Sequence, residues 1–319
     1  MMSRSALALL LVLLASTGQS FALAKIVFVH SYHAEFPWVE DYRRGLENQL
    51  PEHQTIHVFL DAKQASDETI TINVEKAWQL VIDELPQVVV LADDAALKLL
   101  APRLIERQVA TVYLGINANP RDYGATGIRM TGVLERPQLK RSIAMIRQLL
   151  PEVDRIDVLL DSRLTADTIV DETLGNNGLV SNIEVNAYQF DQFSAWKAHV
   201  ENLSDSVDAL FLGTYAGLQN EGSVPIAIDE VSRWTSSNSP VPVFSFWSFS
   251  IADDMAIGGY VINGEQQGAE AGRLVSHYLR TGELLQVRSP DQGHYLFSQK
   301  QLTRWHLPLP RGDNILLRP

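Results

Sequence analysis

The sequence predicts an α/β chain folded as two lobes, each a parallel sheet with helices on its faces, joined by crossing segments. Three observations predict it. Short unbroken apolar runs such as Ile26-Val27-Phe28-Val29, Val88 to Ala92 and Ala209 to Leu212 read as strands buried on both faces. Between them, apolar residues recur three or four apart, which marks helices with one buried face. The alternation runs through one series and then, past residue 131, through a second of similar size. Two such series imply two lobes and a cleft between them, where ligands commonly bind.

The first residues stand apart from both series. Arg4 supplies a positive start, Ala6 to Ala15 is unbroken apolar chain, and Ala22-Leu23-Ala24 has the form of a cleavage site. Ten apolar residues fall short of the roughly 20 that span a bilayer, so residues 1–24 read as a cleaved signal peptide and the mature chain as periplasmic. No later stretch reaches spanning length, so no direct membrane insertion is expected.

The opening strand runs into a loop, His30-Ser31-Tyr32-His33, and then into a helix carrying Phe36, Val39, Tyr42, Leu46 and Leu50 on one side. Ile56 to Leu60 is the second strand, followed by Asp61-Ala62-Lys63 and a long helix through Ile70, Val74, Ala77, Trp78, Val81 and Leu85, which Pro86 ends. The third strand, Val88 to Ala92, has Asp93-Asp94 at its tip, with Asp94 placed to cap the next helix. Thr111 to Leu114 is the fourth and leads to Asn117, Asn119 and Pro120. The second series offers a helix through Leu139 to Leu150, strands at Ile156 to Leu160, Ile183 to Tyr188, Ala209 to Leu212 and Val241 to Phe246, and helices at Ala166 to Leu174, Ser194 to Leu203 and Val224 to Trp234. Ala256 to Val261 is extended, Glu265 to Leu279 helical, and a short unit from Tyr295 to Trp305 precedes a Pro-rich tail. The breaks between series place lobe I at 25–131 and 262–319 and lobe II at 132–261, with crossings near Val133, Phe249 and Val261.

Composition narrows the function. A net charge of −12, one unit more negative once Arg4 is removed, disfavours nucleic acid and anionic lipid as partners. The chain has no cysteine, which excludes disulfides, thiol catalysis and lipid attachment at an N-terminal Cys. It also lacks a G-x-S-x-G elbow, a P-loop, H-E-x-x-H, and G-x-G-x-x-G after a strand, so no enzyme class is supported and no cofactor is expected.

In open α/β sheets ligands bind outside the carboxyl ends of the strands, and the candidate site follows from that rule. It comprises His30, Ser31, Tyr32 and His33 after the first strand, Asp61 and Lys63 after the second, Asp93 and Asp94 after the third, and Asn117 and Asn119 after the fourth. In the second lobe Thr214, Tyr215, Trp247 and Ser248 hold equivalent places. His30 and His33 suit cleft-lining or hydrogen bonding better than metal ligation, because their spacing alone makes no ligand set. The two aspartates serve either as helix cap and surface charge, or one caps the helix while Asp93 meets a cationic group on the ligand. Asp61 and Lys63 form either an exposed ion pair or part of the lining, and Asn117 and Asn119 either hold turns or present amides. Tyr32, Tyr215 and Trp247 would sandwich a planar or apolar ligand and hold a cation well. Trp38, at a helix start, is read as packing, and Phe249 is aromatic at another strand end.

Asn119-Pro120, Thr131-Gly132-Val133, Leu149-Leu150-Pro151, Asp208 to Leu212, Asp253 to Tyr260, Gln267-Gly268-Ala269 and Leu302 to Pro310 carry a family resemblance. The chain resembles the substrate-binding proteins of ABC transporters with the type I periplasmic binding protein fold, including members for aromatic amino acids. The resemblance implies two Rossmann-like lobes that close on a small ligand, such as an amino acid, and a membrane permease as partner. Val29 to His33 with Trp38, Leu60 to Lys63, and Ala92 to Leu97 resemble a subgroup of extracytoplasmic sensing modules fused to membrane signalling proteins. With no span or output domain before Pro319, the expectation is a free protein that serves a permease or docks on a membrane sensor such as a histidine kinase.

Overall fold

The structure, a computed structural model, describes residues 23–125, 129–135, 139–171, 178–289 and 293–319. The expected leader lies outside the described residues apart from Leu23 and Ala24. The first lobe runs β1 (Lys25–His30), α1 (Pro37–Glu47), β2 (Gln54–Phe59), α2 (Asp67–Glu84), β3 (Val88–Ala92), α3 (Asp93–Glu106), β4 (Thr111–Ile116) and β5 (Met130–Leu134). Its sheet has the order β2-β1-β3-β4-β5, with every pair parallel. Ile26 and Phe28 of β1 join one apolar cluster, while Val27 and Val29 join another on the opposite face. That division explains the unbroken apolar run: alternate residues serve two different cores. The chain leaves β1 toward β2 on one side and β3 toward β4 on the other, so a crevice opens at the carboxyl ends of β1 and β3.

The second lobe repeats the plan with α4 (Leu139–Leu149), β6 (Arg155–Asp161), α5 (Leu164–Ile169), β7 (Leu179–Val180), β8 (Ile183–Phe190), α6 (Phe193–Glu201), β9 (Ala209–Leu212), α7 (Ile228–Asn238) and β10 (Val243–Ser245). The sheet order is β10-β9-β6-β8-β7, parallel except for the β7–β8 pair. The helix expected at Val224 begins four residues later. Pro225 instead bridges to Gln219, and the Ile226 amide donates to the Leu218 carbonyl at 2.9 Å, which holds this stretch extended. The expected helix Ala166 to Leu174 overlaps α5, and its end lies outside the described residues.

A third, small sheet holds β11 (Gly258–Val261), β12 (His294–Ser298) and β13 (Ile315–Arg318); between them come α8 (Gly264–Thr281) and α9 (Gln299–Arg304). Helix α8 returns to the first lobe and lies along α1 at very short range. A Cβ on Gly268 would fall 1.8 Å from the Tyr42 carbonyl oxygen, and one on Gly45 would fall 2.0 Å from that of Glu265. The chain then crosses once more. Phe297 and Leu302 join the second lobe's core, with Tyr295, Trp305, Leu307 and Ile315 packed against it. The assignment of 262–319 to lobe I is thus corrected beyond α8, because β12 takes β11 as its antiparallel partner and β11 is tied to β10 and α4. Phe249 is no crossing either, since it sits in a short 3-10 turn, Ser248–Ser250, between β10 and β11. The tail beyond Pro310 ends in β13, whose register pairs Tyr295 with Ile315. Among the described residues no helix is long and apolar enough to cross a membrane.

Candidate ligand-binding cleft

A narrow cleft, with about 390 Å³ of space between atoms counted out into open solvent, lies between the lobes. Nearly every residue lining it follows the carboxyl end of a parallel strand. The first lobe contributes Tyr32 and Phe36 after β1, Lys63 after β2, Asp93 after β3, Asn117 after β4 and Glu135 after β5. The second contributes Thr165 after β6, Gly213 to Ala216 after β9, and Trp247 and Phe249 after β10. Trp38 and Ile228 complete the wall from the first turns of α1 and α7.

The first-lobe side is acidic and buried. Asp93 is 2 % exposed and sits at φ 67°, a left-handed backbone position that costs a non-glycine residue energy. Trp38 Nε1 donates to its Oδ1 at 3.0 Å, while among the described residues Oδ2 makes no hydrogen bond. Gly115, itself at φ 68°, leaves room for this carboxyl, since a Cβ there would stand 2.8 Å from Asp93 Oδ1. Burial, and next the Asp94 charge, push the Asp93 carboxyl up to about 8 against the pull of Trp38 and Lys63. Glu135, 1 % exposed, is held well above the usual carboxylate range, chiefly by burial and then by the charges of Asp93 and Asp94. Its Oε2 accepts from Asn117 Nδ2 at 3.1 Å, whereas Oε1 makes no hydrogen bond among the described residues. The ammonium of Lys63 lies 4.5 Å from the Tyr32 ring centroid.

The second-lobe side is aromatic and neutral. Trp247 Nε1 donates to the Gly213 carbonyl at 2.9 Å, and its ring stacks on Phe249 with centroids 5.8 Å apart. Rings from the two lobes meet edge to face: Trp38 with Trp247 at 5.9 Å and Phe36 with Phe249 at 5.6 Å. A polar contact also crosses the cleft, the Tyr32 hydroxyl lying 3.0 Å from Thr165 Oγ1. Thr214 turns its hydroxyl inward to Asp161 Oδ1 at 2.9 Å, and the Tyr215 hydroxyl bonds to that of Ser250.

The structure brings Tyr32, Lys63, Asp93, Asn117, Thr214, Tyr215 and Trp247 together as the sequence predicts. The other candidates lie outside this lining. His30 is fully buried below the cleft, its ring between the Tyr42 hydroxyl at 3.0 Å and His57 Nδ1 at 2.9 Å. Burial, followed by the neighbouring His57, lowers its tendency to take a proton well below that of a free imidazole. Ser31 ties β1 to β3 and α3, donating to the Ala92 carbonyl and accepting from the Ala96 amide. His33 and Asp61 face each other at 3.6 Å away from the lining. Asp94 is not a helix cap, since Ala92 holds that position; its oxygens accept from the Asn117 and Ala118 amides at 3.1 Å and so fix the loop after β4. Asn119 accepts from the Arg121 amide in a turn, and the Ser248 carbonyl accepts from Arg318. Trp38, expected only to pack, both lines the cleft and holds Asp93. Phe36, Glu135, Thr165, Ala216 and Ile228 escaped the sequence reading, although Glu135 carries the same signal as the others: it directly follows a strand, β5.

No family model and no curated protein matches the chain. Solved structures do. An ABC domain in complex with L-Trp from Streptococcus pneumonia superposes with a TM-score of 0.71 at 14 % identity, covering 92 % of this chain and 100 % of that one. The fold is that of a type I periplasmic binding protein. Two further solved structures superpose over a similar span. A conserved domain protein from Vibrio cholerae gives a TM-score of 0.68 at 14 % identity over 90 % of this chain and 96 % of that one. The ligand-free, open structure of a substrate-binding protein with adhesive properties from Clostridium difficile gives 0.66 at 12 % identity over 93 % and 99 %. In the periplasmic-binding-protein frame, the cavity described above occupies the interlobe cleft.

Proposed function

We propose that the chain is a periplasmic solute-binding protein that closes its lobes around a small ligand with a planar or apolar body and a polar head, for delivery to the membrane permease of an ABC importer. One observation carries this reading: a cavity between two parallel sheets where aromatic rings from both lobes and buried carboxylates from one converge. Rings on both sides favour closure, since paired aromatics add about 0.5–1.5 kcal/mol beyond the area they bury. The solved neighbours include one that holds L-Trp by its own description, which suits a ring-lined site.

Native mass spectrometry of protein purified from the periplasm tests the reading. It should show a retained small molecule and a chain lacking residues 1–24. Trp247 also packs on the second core, so Trp247→Leu, which keeps bulk there, is the readable variant. It should stay folded and bind the recovered molecule about tenfold more weakly, or ~1.4 kcal/mol. Unchanged affinity would place the site elsewhere. A permease gene beside this one supports transport; a histidine kinase gene there would favour a sensing role instead.

A further inference from the structure

Apart from the Lys63 ammonium and one hydroxyl of the Tyr32–Thr165 pair, the hydrogen-bond donors of the cleft's side chains are already engaged by the protein. Trp38 Nε1 is held by Asp93, Trp247 Nε1 by the Gly213 carbonyl, and the Thr214 hydroxyl by Asp161. The Tyr32 and Tyr215 hydroxyls bond to Thr165 and Ser250, and Asn117 Nδ2 donates to Asp94 and Glu135. Among the described residues Lys63 is the only cationic side chain of the lining. Acceptors show the reverse. Asp93 Oδ2 and Glu135 Oε1 belong to side chains at least nine-tenths buried, both lining the cavity, and neither makes a hydrogen bond among the described residues. Asp94 adds a third carboxylate directly behind them.

Resting on the reading of this cleft as a ligand site, the geometry points to a narrower class of occupant: a small organic cation, with an ammonium head, an aromatic or alkyl body and no carboxylate of its own. An ammonium brings donors to both open carboxyl oxygens and balances the negative charge that they take on when they give up their protons. The faces and edges of Trp38, Trp247 and Phe249 surround its body, and ring faces attract a cation. A ligand carboxylate would find Lys63 as the only cationic side chain of the lining among the described residues, and would have to hold Asp93 and Glu135 in their protonated forms beside it. Burial keeps the Asp93 carboxyl protonated near neutral pH, so an arriving ammonium displaces that proton to solvent.

Three probes share one ring system and differ in the head: tryptamine, L-tryptophan and indole-3-acetate. Calorimetric titration of the mature chain at neutral pH should find tryptamine at least tenfold tighter than L-tryptophan, with indole-3-acetate not binding at millimolar concentration. Repeating the tryptamine titration in buffers of different ionisation enthalpy should show proton release. Glu135→Gln should weaken tryptamine at least tenfold while melting cooperatively. L-tryptophan binding as tightly as tryptamine, or any binding of indole-3-acetate, would overturn the proposal and leave the solute-binding reading standing. If none of the three binds, the molecule recovered from the periplasm decides. A carboxylate-free amine supports the proposal, and an acid, an amino acid or a neutral molecule sinks it alone. A chain that neither binds a probe nor retains a molecule sinks both.

Discussion

The two walls of the cleft both carry rings, but only one carries charge. The first lobe adds Lys63, Asp93, Asn117 and Glu135 to the rings of Tyr32, Phe36 and Trp38; the second presents hydroxyls already bonded inward, together with the rings of Tyr215, Trp247 and Phe249. Both sets stand at strand ends of the same kind of sheet, so the difference lies in the side chains and not in the scaffold. The contrast teaches a division of labour. Charged groups on one wall fix a polar head by pairing, where errors cost most. Rings on the other cover the body by contact, which tolerates variation and rewards closure.

The sharpest way to break this contrast is to neutralise the charged wall without changing its shape. Asp93→Asn keeps an oxygen for Trp38 Nε1 and removes the charge. Loss of one partner from a buried charge pair costs roughly 2–5 kcal/mol, so affinity for the recovered ligand should fall at least about 30-fold. A fall of threefold or less in calorimetry would show that the head pairs elsewhere.

Next in size is a pH effect confined to the acidic wall. The folded chain raises the Asp93 carboxyl from 3.8 to about 8, so it favours the protonated form. That contribution to stability is complete below pH 4 and is lost as pH rises toward 8. The amide introduced by Asp93→Asn does not titrate, so the melting temperature of the empty wild type minus that of the variant should fall across this window. A loss of 1 kcal/mol would appear as about 2–4 °C. His57, lowered to about 4 mainly by burial, gives a slope of opposite sign that cancels in the difference. A flat difference would mean that Asp93 titrates as it does in water.

The smallest effect concerns the bond that joins the walls. Tyr32→Phe removes the contact with Thr165 and should cost closure about 0.5–1.5 kcal/mol, less than tenfold or so in affinity. Small-angle scattering of the ligand-bound variant should report a larger open fraction. Identical scattering and affinity would show that the bond contributes nothing to closing.

Much of this was legible in the sequence because burial on both faces of a sheet leaves an unmistakable run, as in Val88 to Leu91. Strand ends then pointed to Tyr32, Asp93, Asn117 and Trp247 without any knowledge of their neighbours. What failed was direction within a loop. His30 and Ser31 adjoin Tyr32, yet their side chains turn into the first lobe, to Tyr42 and to Ala92. Trp38 misled for a related reason: the buried face of α1 looks the same along its length, but its first turn overlooks the cleft. Thr165 owes its place to the meeting of two lobes, and no local pattern encodes that.

The glycines between α1 and α8 have a mechanical consequence. With Gly45 and Gly268 in backbone contact, α8 is carried as part of the first lobe. The chain therefore passes between lobes at three places, after β5, before α8 and before β12. Three tethers resist twisting and leave rotation about the line through them as the soft motion. Glu135 is the residue directly after β5 and so lies at the fulcrum, whereas Phe36 and Phe249 touch across the lever arms. A head group held at Glu135 would stay almost still while the rings swing through the long arc. Work done by a few ring contacts far from the pivot is thus delivered as torque on the whole second lobe.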